Sequence, residues 1–181
     1  MSIDNEKRLL ELFNAFYEEQ GIHNLSEYFI DYSYIIDEEF RNHLESLNRK
    51  MIKARIRENF GEYCRFAFIQ IEVATEKIIQ KYQTDFDKTK KSIYSKYPDG
   101  ILTKIQFALR QFKKSFDYNN SFSDNLYPTI NTLKCLRDEL SHGDENFISN
   151  KYVDTLLKGR DWLKIKEIVE SYSKLILENK V

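Results

Sequence analysis

The sequence predicts an all-α fold, and three observations lead to that prediction. The 181-residue chain contains only five glycines and two prolines, which leaves little material for the tight turns of an all-β protein. Long stretches are rich in Leu, Glu, Lys and Arg, residues of high helix propensity. Apolar residues recur three and four positions apart along most of the chain, as in amphipathic helices. We therefore expect one helical domain over residues 1–181.

The first 59 residues predict three helices. Asp4 is a good N-cap for a first helix that runs to Gln20, and Gly21 is a suitable stop. A short second helix is expected to begin at Ser26. A longer third helix should end near Asn59 and carry an apolar stripe of Ile36, Phe40, Leu44, Leu47 and Met51.

The most apolar segment of the chain follows Gly61, a residue that predicts a break or a kink. We expect a helix over residues 62–83 that is apolar on most of its circumference. Such a helix belongs at the centre of a bundle or under a partner. Its apolar residues are Phe66, Ala67, Ile71, Ala74 and Ile78 on one side and Phe68, Ile69 and Val73 on the other.

Five further helices are predicted towards the C-terminus. One covers residues 87–97 and stops at the turn sequence Pro98-Asp99-Gly100, and the next covers residues 101–116. A polar loop over residues 117–125 precedes a helix that starts near Pro128 and closes at Gly143. A short helix then ends near Gly159, and the last runs over residues 161–179. The helix that starts near Pro128 carries Ile130, Leu133, Leu136 and Leu140.

Charge, cysteine content and hydropathy exclude several classes of protein. The 28 basic and 29 acidic residues give a net charge of −1, so any basic surface for nucleic acid must be local. Cys64 and Cys135 lie in helical apolar patterns and are expected to be buried thiols. Without a Cys or His cluster, no structural zinc and no cofactor is predicted. The charged N-terminus and the lack of a run of about 18 apolar residues predict a cytoplasmic chain that does not enter a membrane.

The stretch LRDELSHG at residues 136–143 holds the candidate catalytic residues. Arg137 is followed five residues later by His142, with Asp138 after the Arg and Gly143 after the His. This spacing and these flanking residues resemble the RX4–6H motif of the HEPN ribonuclease family. The resemblance covers residues 60–181, and residues 1–59 would be an additional N-terminal helical extension.

The resemblance implies a helical bundle of HEPN type and a function. Members of the family are homodimeric, metal-independent endoribonucleases with a composite site between two copies. The family analogy also implies an RNA substrate, a role in antiviral defence or as a toxin, and a cognate inhibitor or activating partner protein. In toxins that are paired with a nucleotidyltransferase, a Tyr stands two residues after the His. Asp144 occupies that position here, which argues against membership of that subgroup and against regulation by nucleotide transfer onto that Tyr.

Helical geometry favours a shared site. Five residues advance about 500°, so Arg137 and His142 point about 140° apart, and two copies about a two-fold axis bring both pairs together more readily than one copy. Asp138 lies four residues before His142 and can orient its imidazole. Ser141 shares a face with Arg137 in the same way.

The residue types suit RNA cleavage. RNA carries its own nucleophile, the 2′-hydroxyl. A His can accept that proton or protonate the leaving 5′-oxygen, and an Arg can stabilise charge on the phosphate oxygens. The expected products are a 2′,3′-cyclic phosphate and a 5′-hydroxyl.

Other residues have both a functional and a structural interpretation. Glu72 could support the site from the central helix or simply face solvent. Tyr118 and Phe122 could stack on bases or pack on the bundle, and His23 and His43 are expected at the surface. Three basic runs could bind the RNA backbone or be solvated helix faces: Lys90-Lys91, Lys113-Lys114, and Lys158, Arg160, Lys164 and Lys166.

Alternatives to an active nuclease remain open at the level of sequence. Arg137 and His142 near a helix C-terminus could compensate the helix dipole. The chain could also be a catalytically silent HEPN scaffold, an interaction module whose motif helix is only a dimer surface. A nucleotide-binding regulatory HEPN is a third possibility, but the chain contains no Gly-rich phosphate loop.

Overall fold

The computed structural model describes residues 25–112, 130–131, 133–135, 137 and 161–178. A 3-10 turn at Leu25–Tyr28 precedes five helices, which we call α1 (Glu38–Ile56), α2 (Phe60–Lys81), α3 (Gln83–Ile93), α4 (Ile101–Phe112) and α5 (Trp162–Leu177). The described residues between 130 and 137 are also helical and form the motif helix. No strand occurs in these ranges, so the all-α prediction is confirmed for them. The helix expected at residues 4–20 and the loop expected at 117–125 lie outside them.

Helix α2 is the centre of the bundle. It packs against α1, α4 and α5, and eleven of its residues are buried, from Phe60 to Ile79. Phe68 is fully buried, whereas Ile69 and Val73 are only partly covered. The predicted central position is therefore confirmed, although the helix begins and ends two residues earlier than the predicted range of 62–83.

The break between α1 and α2 lies at Glu58 rather than at Gly61. Glu58 has a φ of 53°, in the left-handed region that favours glycine. Its N–H donates to the Arg55 carbonyl (3.0 Å), and the Asn59 N–H donates to the Ala54 carbonyl (2.9 Å), which together form a Schellman motif. Gly61 lies in the first turn of α2. The prediction of a break at Gly61 is therefore wrong, because the Glu58 backbone adopts the left-handed conformation.

The start of α1 also corrects the predicted apolar stripe. Asp37 is the N-cap, and its carboxylate accepts a hydrogen bond from the Phe40 N–H (3.0 Å). Ile36 precedes this cap and is 84% exposed, so it does not belong to the stripe. Ile35 is buried in its place. The other members behave as predicted, since Leu44, Leu47 and Met51 are buried and Phe40 is partly buried.

Helix α3 occupies residues 83–93 and not the predicted 87–97. Phe86 is buried against Phe107 of α4, with ring centroids 5.4 Å apart, and it is the buried residue of α3. Because this contact buries Phe86, the helix includes residues 83–86 and lies four residues earlier in the sequence than predicted. The turn predicted at Pro98-Asp99-Gly100 is confirmed, because the Gly100 N–H donates to the Tyr97 carbonyl (3.1 Å) with Pro98 at the second turn position.

Buried polar side chains join the helices around α2. The Gln70 side chain accepts from the Tyr32 hydroxyl (2.9 Å) and donates to the Phe66 carbonyl (3.1 Å). Thr75 and Tyr172 of α5 are linked through their hydroxyls at 2.7 Å. Because these groups are paired, their burial costs little and fixes the register of the helices.

The two cysteines differ in their surroundings. Cys64 is fully buried, and burial raises the pKa of its thiol to about 12, so the group is an inert part of the core. Cys135 is partly exposed. The prediction of two buried thiols is thus correct for Cys64 and wrong for Cys135.

Candidate functional site

The motif helix presents Arg137 from its core-facing side. Ile130 and Leu133 are fully buried in the main hydrophobic core. Arg137 follows them by seven and four residues, so all three positions lie within about 60° around the helix. The apolar periodicity that buries Ile130 and Leu133 therefore directs the Arg137 side chain towards α2.

Two contacts fix the Arg137 guanidinium on α2. Its Cζ atom lies 5.0 Å from the centroid of the Phe68 ring, within the range of a cation–π interaction. Its Nη2 atom lies 3.5 Å from Oε1 of Glu72. Phe68 and Glu72 are four residues apart on α2 and so occupy one face of that helix, which allows one guanidinium to contact both.

The arrangement leaves part of the guanidinium accessible, while its Nε atom is buried. The Arg137 side chain keeps 27% of its exposure and the Glu72 side chain 36%. An ion pair with this degree of solvation contributes at most about 1 kcal/mol. A phosphate, which accepts short bidentate hydrogen bonds from Arg, can therefore replace or join the carboxylate. The site is chemically suited to bind an anion beside α2.

The position of Glu72 agrees with both expected roles, that of a solvent-facing residue and that of a residue that supports the site. Glu72 is partly exposed, as expected for a solvent-facing residue, and it also contacts Arg137. Its position opposite a motif residue could be suspected from its place in an apolar helix. The contact itself joins two residues 65 positions apart in the chain, and that pairing was not apparent from the sequence.

Most of the predicted site lies outside the residues that the structure describes. Arg137 is the one predicted site residue within them. The three other candidate catalytic residues, Asp138, Ser141 and His142, lie outside, as do the substrate-binding candidates and the two loop aromatics: Lys113, Lys114, Lys158, Arg160, Tyr118 and Phe122.

Two basic runs can be assessed in part. Lys90 is engaged by Asp87 (2.9 Å) and Asp99 (2.7 Å), and these carboxylates raise the pKa of Lys90. Lys166 pairs with Glu170 at 2.6 Å. Both lysines are thus committed to neighbouring carboxylates, whereas Lys91 and Lys164 are exposed. His43 is exposed on α1, as expected.

Among the described residues, no three His, Cys, Asp or Glu side chains are grouped as a metal site would require. Over the same residues, no helix combines the length and the apolar character needed to span a membrane. In comparisons with known proteins, no family model, curated protein or solved structure matches the chain.

Proposed function

We propose that this chain is a metal-independent endoribonuclease of HEPN type, acting in the cytoplasm as a defence or toxin-type effector. The observation that carries the proposal is the sequence Arg137-Asp138-Glu139-Leu140-Ser141-His142, with its first residue held beside α2 and partly exposed. The substrate class follows from the chemistry of these side chains, since an Arg and a His together suit a phosphodiester that carries its own nucleophile.

The proposed reaction needs two proton transfers. One His142 accepts the proton of the 2′-hydroxyl while the 2′-oxygen attacks phosphorus. The bond between phosphorus and the 5′-oxygen breaks, and the second His142 of the dimer donates a proton to that oxygen. Arg137 stabilises the charge on the non-bridging oxygens. In the proposed reaction Asp138, four residues before His142, orients the imidazole, and Ser141, four residues after Arg137, supports that residue.

A dimer supplies the second histidine. The divergence of about 140° between Arg137 and His142 on one helix hinders a single copy from contacting one phosphate with both. An isologous interface at the end of the motif helix would bring two copies of each residue into one cleft. The proposal therefore includes a homodimer, with a cognate inhibitor or activating partner controlling it.

The nucleophile can be tested directly. An RNA with a single 2′-deoxy nucleotide at the scissile position should bind as tightly as the unmodified RNA, because its phosphate contacts remain. It should not be cleaved at that position, and excess EDTA should leave cleavage of the unmodified RNA unchanged. Cleavage of the deoxy-substituted strand would require an activated water in place of the 2′-hydroxyl and would refute the mechanism.

A matched pair of histidine variants provides the control. His142→Ala should abolish cleavage, whereas His43→Ala, at an exposed position of α1, should leave it unchanged. Both variants should retain the thermal stability of the parent, because each removes a polar side chain, and such a truncation is expected to cost little compared with a core cavity. Activity in His142→Ala would contradict the proposal.

The alternative function is a catalytically silent HEPN scaffold or interaction module. One observation favours it: the contacts of Arg137 with Phe68 and Glu72 give this residue a stabilising role that needs no RNA. The scaffold predicts that Arg137 variants change stability and dimerisation alone. A dimer that cleaves no RNA, with or without its partner protein, would support it.

A further inference from the structure

The outer face of α1 carries a line of cations that the function proposed above leaves unassigned. Four residues in the C-terminal half of α1 and at its C-cap form this basic stripe: Arg49, Lys50, Lys53 and Arg57. All four are exposed. Their spacing of one, three and four residues places them within about 100° around the helix.

The stripe has a high local charge. Residues 49–57 contain five basic residues and no acidic one, while the whole chain has a net charge of −1. Arg49 pairs with Glu45 at 3.3 Å. Within the described part of the chain, Lys50, Lys53 and Arg57 have no carboxylate at ion-pair distance. The positive field of these three side chains therefore extends into solvent.

The stripe is regularly spaced on a helix that is anchored in the core. The opposite face of α1 is buried in the core through Leu44, Leu47, Met51 and Ala54. Arg49, Lys53 and Arg57 each lie one helical turn apart, about 6 Å along the axis. A straight row of cations at such intervals suits an extended chain of phosphates.

We propose that the basic stripe binds the phosphate backbone of single-stranded RNA, the substrate of the endoribonuclease proposed above. This inference rests on the proposed ribonuclease function and adds to it the surface that holds the substrate. A lipid surface fits less well, because a helix that binds membranes exposes an apolar face, and the apolar face of α1 is buried in the core.

Lys50, one member of the stripe, and Arg137 contact opposite flanks of the partly exposed side of α2. Lys50 Nζ is 6.0 Å from the ring centroid of Phe66, on one flank of the solvent-exposed side of α2. Arg137 lies over Phe68, on the other flank. A strand held on the stripe need cross only α2, a distance of about 10–12 Å, to reach Arg137.

The surface to be crossed does not repel a polyanion strongly. Three carboxylates of α2 border it, and each has a cationic partner. Glu62 pairs with Arg65 at 3.4 Å, Glu72 with Arg137 at 3.5 Å and Glu76 with Lys104 at 2.6 Å. Their negative charge is therefore compensated locally.

The test measures binding separately from cleavage. A fluorescent single-stranded RNA of about 20 nucleotides, longer than one typical binding site, is titrated with the full chain carrying His142→Ala. Adding Lys50→Gln, Lys53→Gln and Arg57→Gln should raise the Kd about 10- to 100-fold at 0.15 M salt. It should reduce the slope of log K against log salt by about 2, because three phosphate contacts are lost.

Two further triple variants complete the design. Lys88→Gln, Lys96→Gln and Arg110→Gln remove the same charge from exposed positions of α3, of the segment after it and of α4, outside the basic runs considered for RNA, and should change neither Kd nor slope. Lys50→Arg, Lys53→Arg and Arg57→Lys keep the charge of the stripe and should bind like the parent, which also controls for folding.

The proposal that the stripe binds RNA would be refuted if the stripe triple and the control triple lost affinity equally, or if the stripe triple bound RNA as tightly as the parent. It would also be refuted if the parent bound no RNA, or bound poly-L-glutamate as tightly as RNA. If the stripe binds RNA but the chain with His142 intact cleaves none, the ribonuclease proposal fails and the binding surface stands. If the three stripe substitutions, made in the chain with His142 intact, leave the KM for RNA cleavage unchanged, the binding surface fails and the ribonuclease proposal stands.

Discussion

The Arg137 guanidinium lies 3.5 Å from the Glu72 carboxylate and 5.0 Å from the Phe68 ring, so a motif residue is held by the central helix. The two contacts place a cation at the surface in a defined position before any ligand arrives. For a catalytic residue, such positioning reduces the reorganisation needed to reach the transition state. For a structural residue, it joins two helices.

Conservative substitution distinguishes these two roles. Arg137→Lys keeps a positive charge near Glu72, so we expect the free energy of unfolding to change by less than about 1 kcal/mol. Cleavage of RNA should nevertheless fall at least about tenfold, because an ammonium lacks the planar fork that binds two phosphate oxygens. Urea denaturation and initial cleavage rates measure the two effects. Arg110→Lys, at an exposed position of α4, is the matched control. If the Arg137→Lys variant cleaved RNA as fast as the parent, the structural role would be favoured.

Removal of the competing carboxylate should act in the opposite direction. Glu72→Gln retains the size of the side chain but removes its charge, so Arg137 becomes more available to phosphate. We expect KM for RNA to fall a few-fold, with a loss of stability below about 1 kcal/mol for a partly exposed pair. Steady-state cleavage kinetics measure this. A rise in KM would mean that Glu72 is needed to position Arg137.

A symmetric dimer is expected in solution. Sedimentation or light scattering at tens of micromolar should give twice the chain mass of 21.8 kDa. The two His142 side chains should approach within about 15 Å, so that both can act on one phosphate. A monomer at that concentration would argue against the composite site.

The left-handed residue between α1 and α2 offers a test of the fold. Glu58 has a φ of 53°, a conformation that costs a residue with a side chain more than it costs glycine. Glu58→Gly should therefore raise the free energy of unfolding by roughly 0.5–1 kcal/mol. Glu58→Ala keeps the β-carbon and serves as the control, which should show no such gain. Chemical denaturation decides between them.

Burial of Cys64 predicts a loss of stability in alkali. Burial raises the pKa of this thiol from 9.0 to about 12, so above pH 9 the unfolded chain loses a proton that the folded chain retains. The contribution of the buried, protonated thiol to the free energy of unfolding is fully present below pH 9. It is lost as the pH rises, by up to about 1.4 kcal/mol per pH unit. Cys64→Ala should lack this component between pH 9 and 10, although its core cavity lowers stability at every pH. If the curves of unfolding free energy against pH were parallel for the parent and the Cys64→Ala variant, the raised pKa of Cys64 would be contradicted.

The sequence alone determined the helical class, the central helix and several boundaries, because these depend on local periodicity and turn chemistry. Ile101 begins α4 directly after the turn at Pro98-Asp99-Gly100, as predicted. Asp161 caps α5 by accepting from the Lys164 N–H (3.1 Å), which fixes the start of the last helix. The basic stripe is also visible in the sequence as cations three and four residues apart.

Only the tertiary structure decided the features that join distant residues or depend on competing interactions. The position of α3 follows from the contact of Phe86 with Phe107 of α4, which no local pattern contains. The break at Glu58 reflects a backbone conformation that a Schellman motif stabilises in a residue other than glycine. The pairing of Arg137 with Glu72 arises because the buried stripe of the motif helix orients it towards α2. Such contacts are set by how helices pack, and packing is a property of the assembled core rather than of any one segment.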